Sequence, residues 1–108
     1  MIIADFFKSP DNKLKGFSVS GHSMTAESGQ DICCASVSSA VMLTANTVTD
    51  SFKLDAKVRV EDNEIKLKLG DDPEGQGDKL VLALLEHLYF IGEQFPGAVK
   101  VSVIELDG

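Results

Sequence analysis

The sequence predicts an α+β domain of order ββαββαβ, a mixed, mostly antiparallel sheet with two helices packed on it. Three observations carry that reading. Two pairs of short alternating apolar segments are each joined by a turn signal; two longer stretches, residues 32–47 and 79–94, lack the alternation and have helix length; and 108 residues suit a single core. Residues 1–108 are therefore read as one domain.

In chain order, residues 1–7 are apolar and residues 14–20 carry Leu14, Phe17 and Val19 among polar neighbours, with Ser9-Pro10-Asp11-Asn12 as the turn of a first hairpin. The helix over residues 32–47 is rich in Ala, Ser and Thr, with Val37, Val41 and Val48 on one side. Such moderate propensity means that tertiary packing must hold it. Residues 51–60 and 64–69 alternate most clearly, Phe52, Leu54, Ala56, Val58 and Val60 in the first, and Ile65, Leu67 and Leu69 in the second. They predict a second hairpin whose strands each bury one face. A loop over residues 70–78 leads, with Asp78 as N-cap, into the helix over residues 79–94, and Pro96-Gly97 turns the chain into a last strand, residues 99–106.

Composition narrows the function. With 44% hydrophobic and 25% charged residues the chain is ordinary for a globular protein and not disordered. No apolar run near twenty residues and no signal peptide are read at the N-terminus, so the expected location is the cytoplasm, away from membranes. A net charge of −7 disfavours direct contact with nucleic acid and favours a basic protein partner. Two adjacent cysteines and two distant histidines fit neither an ordinary disulfide nor a zinc site, and no metal or cofactor is expected.

The chemistry concentrates in residues 21–48. Cys34 follows Asp31 by three residues, and with Asp31 as N-cap its thiol would lie in the first helical turn, where unpaired backbone N–H groups stabilise a thiolate and supply an oxyanion hole. His22 is the histidine nearest to it, and a loop of about ten residues is long enough to bring an imidazole base back onto the thiol. Gly21 and Gly29 flank this loop as hinges, and Ser23 lies within it on the substrate side. Each residue has a plainer reading. A cysteine is most often a small buried hydrophobe, a lone loop histidine usually bonds the backbone, and Asp31 is either a cap or the group that orients His22. Cys33, about 100° around the helix from Cys34, reads as core, and His87 as structural.

Gly21-His22 followed by Gly29-x-Asp31-Ile32-x-Cys34-Ala35-x-Val37-Ser38 resembles the signature of the bacterial ribosomal-processing cysteine proteases, the Prp family. The resemblance implies a cysteine endopeptidase that trims an N-terminal extension from the large-subunit ribosomal protein numbered twenty-seven, with His22 and Cys34 in the family's catalytic positions. The usual valine before the cysteine is here Cys33. The alternative is a non-catalytic ribosome-associated binding module; a thiol redox protein ranks last, because Cys33-Cys34 lacks the two-residue spacer of the familiar dithiol motif. Residues 79–91, apolar nearly all the way round, further predict a homodimer through the second helix.

Overall fold

Phe6 and Phe17 face each other across the first hairpin with ring centroids 6.1 Å apart, and both are fully buried. They sit at the middle of the sheet in a computed structural model that describes residues 1–21, 28–61 and 63–107, residues 28–31 by their backbone. The strands are β1 (Ile2–Lys8), β2 (Leu14–Ser20), β3 (Ala56–Glu61), β4 (Glu64–Leu69) and β5 (Val99–Glu105), and the helices are α1 (Ser28–Asn46) and α2 (Gln76–Gln94). The expected order ββαββαβ and the α+β class are what the chain forms.

Among the described residues the sheet order is β3-β4-β2-β1-β5. Neighbours are antiparallel except β1 and β5, which run parallel because α2 carries the chain over the sheet before β5 is laid down. Ile2, Ala4 and Phe6 of β1, Phe17 and Val19 of β2, and Ile65, Leu67 and Leu69 of β4 are buried on one sheet face. Val37, Val41 and Ala45 of α1 and Val81, Leu84, Leu88 and Ile91 of α2 join them in a single core, so both helices cover the same face. Each fully buried Leu, Ile, Val or Phe contributes about 1.5–3 kcal/mol. The other sheet face carries mostly polar and charged side chains, with Ile3, Phe7 and Ile104 at its β1–β5 end.

Four expectations are corrected. First, α1 begins at Ser28, four residues early. Serine itself favours a helix start, and Asp31 is consequently inside the helix and not its N-cap. Second, the chain past α1 continues as a π-helical turn, Thr47–Ser51, so β3 starts at Ala56, not residue 51. The Leu54 N–H donates to the Val48 carbonyl (2.9 Å) and Lys53 takes φ +52°, which turns this segment toward the sheet edge. Third, β3 does not bury a face: Val58 and Val60 are 41% and 63% exposed, since the helices do not extend over this edge strand. Fourth, Asp78 does not cap α2. Asp72 does, its two carboxylate oxygens accepting from the N–H groups of Gly77 (3.0 Å) and Asp78 (2.9 Å), while Asp78 accepts from the Leu14 N–H at 2.7 Å and ties the helix to β2.

The stretch Ile32–Ser51 is also long and apolar enough, by length and composition, to cross a membrane, although no such run was expected. Val37, Val41, Ala45 and Val48 within it are buried in the domain's own core. Its hydropathy is that of a core helix.

Candidate active site

Cys34 is the seventh residue of α1, in its second turn, half-buried, with Cys33 beside it fully buried. The pair lies at the end of the sheet where β1 begins and β2 ends. There a cavity of about 80 Å³ is lined by Met1, Ile2, Gly21, Cys33, Cys34, Gly97 and Ala98. Backbone pairing builds its walls: the Ile2 N–H donates to the Ala98 carbonyl (2.8 Å), and the Gly21 N–H donates to the Asn63 carbonyl (3.1 Å).

Gly21 closes β2 with φ +89°, a left-handed conformation that L side chains avoid. A Cβ there would stand 2.3 Å from the Met1 carbonyl oxygen. The residue type is thus dictated both by the backbone conformation and by the close approach of β1, and the residue that follows Gly21 in the chain is His22.

His22 and Ser23, and with them residues 22–27 of the mobile loop expected over residues 21–30, lie outside the described residues, whereas residues 28–30 open α1. Gly29, expected as the loop's second hinge, is instead the second residue of α1. Asp31, on the fourth residue of the helix, stands three positions before Cys34 and so on the same helical face.

The early start of α1 changes the electrostatics expected at the thiol. Cys34 is about 9 Å along the axis from the first helical residue, and the favourable end of the helix dipole acts within the first turn. The backbone donors at the helix start are accordingly not those that surround Cys34, and Gly21, Ile2 and Ala98 already spend their N–H groups on backbone carbonyls. The two thiols are also unlike. Burial pushes the Cys33 thiol above its ordinary value, and negative charge on Cys34 pushes it further in the same direction. Cys33 is therefore held as a neutral thiol in the core while Cys34 opens to the cavity, the division expected of them.

The part of the cavity's lining formed by Gly97 and Ala98 has no counterpart among the expected site residues. Its one sequence signal is the Pro96-Gly97 turn, where Gly97 takes φ +81°. Beside the cavity, and sharing Gly21 with it, a groove of about 630 Å³ is lined by Ser20, Glu61, Asn63 and Glu64. No group of residues able to hold a metal ion occurs among the described residues.

The sequence profile of the cysteine protease Prp family matches residues 1–100. No curated protein sequence matches the chain. Among solved structures, the essential ribosomal processing protease Prp of S. aureus, in complex with a substrate peptide, superposes with a TM-score of 0.87 at 18% identity, covering 96% of this chain and 100% of its own. The same protease with a covalently linked product peptide gives 0.85 at 19% identity with the same coverage. The protein SMU.848 of Streptococcus mutans gives 0.87 at 21% identity, covering 98% of this chain and 99% of its own. At these identities the structures establish the shared fold, and the profile match establishes the lineage: the chain belongs to the Prp family of cysteine proteases.

Proposed function

We propose that this cysteine protease removes the N-terminal extension of the large-subunit ribosomal protein numbered twenty-seven, with Cys34 as nucleophile and His22 as the base. The observation that carries the reading is that Cys34 opens to a cavity whose lining includes Gly21, the residue covalently joined to His22. A histidine leaving a fixed strand end beside the cavity needs only a short return to reach the thiol.

In the proposed reaction His22 takes the proton of Cys34, and the thiolate attacks the carbonyl carbon of the scissile bond. The tetrahedral adduct collapses as the C–N bond breaks, the leaving amine receives the proton from the imidazolium, and a thioester to Cys34 remains. Water, deprotonated by His22, then hydrolyses the thioester and returns the thiol. Asp31 stands on the helical face of Cys34, and its proposed role is to orient His22. Gly21, Ser23 and Gly29 belong to the segment proposed to meet the substrate.

Charge supports a basic substrate. Glu61 and Glu64 flank the groove next to the cavity, and the chain as a whole carries −7. A lysine- and arginine-rich ribosomal protein approaching this rim is attracted to it. The S. aureus relative was crystallised with a substrate peptide and with a covalently linked product peptide, which supports a reaction that passes through a covalent bond to the peptide.

The proposed assembly is a homodimer. Leu82, Tyr89 and Phe90 on α2 are 45%, 60% and 63% exposed, a stripe beside the one that faces the core. The compartment proposed is the cytoplasm, where thiols stay reduced.

The deciding experiment incubates the protein with the extended and the pre-trimmed ribosomal protein and reads their masses. A single truncation of the extended form, no change in the trimmed form and no reaction with Cys34→Ala is the expected result. An extended protein left intact overturns the proposal.

A further inference from the structure

The outer face of the sheet, the face without helices, carries a feature that the net charge conceals. Cross-strand register sets Lys57 of β3 opposite Lys68 of β4, and Arg59 opposite Lys66. Lys66 and Lys68 share a face with Ser18 and Gly16 of β2, opposite the buried Ile65, Leu67 and Leu69. All four cations are exposed. They form a square about 5 Å across the strands and about 7 Å along them, and they are four of the ten Lys and Arg residues in a chain of net charge −7.

This arrangement works against the fold. Like charges directly opposite each other on neighbouring strands are destabilising, and the acids of the hairpin's outer face, Asp55 against Gly70 at one end and Glu61 and Glu64 at the other, stand at the ends of the square and not between its members. Glu61 approaches Arg59 at 3.9 Å, but both side chains are more than half exposed, where an ion pair is worth little. Glu64 instead accepts from the Ser18 hydroxyl (3.0 Å). Asp5 lies beyond Ser18, two strands from Lys66. Edge protection accounts for charges on β3, since cations on an edge strand block further pairing. It does not account for Lys66 and Lys68, because β4 is paired on both sides.

We propose that the outer face of the β3–β4 hairpin, through Lys57, Arg59, Lys66 and Lys68, binds the phosphate backbone of RNA. A flat square of cations with small Gly16 and Ser18 beside it is open to a polyanion and has no walls to enclose a small one. The choice of RNA among polyanions rests on the ribosomal substrate proposed above, which in an assembling particle is held against RNA. The hairpin then works from both ends. Its turn presents Glu61 and Glu64 to a basic peptide beside the cavity, and two residue pairs further along the same sheet face, from Arg59 and Lys66 onward, its cations hold the RNA to which that protein is bound.

The test measures binding of the whole protein to a fluorescein-labelled oligouridylate by anisotropy between about 50 and 200 mM salt. Four neutralised phosphates on a single strand predict a slope near −3 in log affinity against log salt, at about 0.7 per phosphate. The variant carrying Lys57→Gln, Arg59→Gln, Lys66→Gln and Lys68→Gln should lose at least about tenfold in affinity at the low-salt end, flatten that slope, melt no lower than the parent because the repulsion is gone, and cleave a short substrate peptide as the parent does. A variant with Lys57→Arg, Lys66→Arg and Lys68→Arg should bind as the parent. The proposal is overturned by absence of salt-sensitive binding in the parent, by undiminished binding in the glutamine variant, or by binding to phosphatidylserine vesicles without binding to the oligouridylate. Loss of RNA binding with trimming intact leaves the protease reading standing, and failure to trim with RNA binding intact leaves this one standing.

Discussion

Gly21 meets Met1 so closely that a methyl group on its α-carbon would lie 2.3 Å from the Met1 carbonyl oxygen, and it does so at φ +89°. Two costs therefore fall on Gly21→Ala. The left-handed conformation costs an alanine about 1–2 kcal/mol, and the strand start must shift to relieve the contact. Together these should lower the melting temperature by roughly 10 °C, at about 4–8 °C per kcal/mol for a domain of this size. Because Gly21 lines the cavity shared with Cys34, cleavage should fall more than the fraction unfolded explains. Thermal melts and turnover on the same samples check this, and an alanine variant with unchanged melting temperature contradicts it.

Asp72 and Asp78 make separable contributions to the start of α2. Asp72→Ala removes the acceptor of two N–H groups at the helix start and should cost about 0.5–2 kcal/mol. Asp78→Ala strands the Leu14 N–H and should cost about 1–3 kcal/mol. Asp72→Asn, which keeps one carbonyl acceptor, should lose less than Asp72→Ala. The midpoints of urea unfolding order the three variants.

The exposed stripe on α2 predicts an effect of concentration. Sedimentation in the micromolar range should give a dimer, and Phe90→Glu, at a side chain 63% exposed in the single chain, should give a folded monomer. A parent protein that sediments as a monomer throughout that range removes the dimer.

Where structure follows from local pattern, the sequence foretells it closely. Ile65, Leu67 and Leu69 alternate with Lys66 and Lys68, and β4 occupies the expected residues with those three side chains buried. Phe52 and Leu54 continue the same alternation one segment earlier, yet the backbone there is still leaving the π-helical turn; period two marks side chains and not hydrogen-bond partners. Asp31 has the residue type of a cap but stands after Ser28, which starts the helix. Asp72 caps α2 from five and six residues away, beyond the reach of any rule built on adjacent positions. At the site, Cys34 is legible from its motif. Gly97 and Ala98 are not, because it is the parallel pairing of β1 with β5 that delivers them to the cavity.

The raised Cys33 thiol gives a dependence on pH whose sign is fixed by burial. The folded state holds this proton above 9.0, the ordinary value, whereas the unfolded chain releases it there. The contribution is complete below that pH and is lost as pH rises from it toward the folded-state value. The parent should therefore lose more stability than Cys33→Val as pH is raised past 9.0, and parallel curves of unfolding free energy for the two proteins contradict this.

The decisive contrast lies between the two cysteines. Cys33 is 1% exposed and packs in the core, so Cys33→Val keeps a buried apolar volume and should leave both fold and cleavage within about 1.5 kcal/mol and a few-fold of the parent. Cys33→Ser places a hydroxyl in the same site and should cost about 1–3 kcal/mol. Cys34 opens to the cavity, so Cys34→Ala and Cys34→Ser should melt near the parent and still bind the extended ribosomal protein, but not cut it. His22→Ala should lower turnover by about two to four orders of magnitude, because the thiol loses its base and the leaving amine its proton donor. Brief treatment with iodoacetamide should alkylate Cys34 and spare Cys33, whose buried neutral thiol is a poor nucleophile. Peptide mapping of the alkylated protein reads the ratio directly. Modification confined to Cys33, or cleavage that survives Cys34→Ala and dies with Cys33→Val, would assign the nucleophile to the other sulfur.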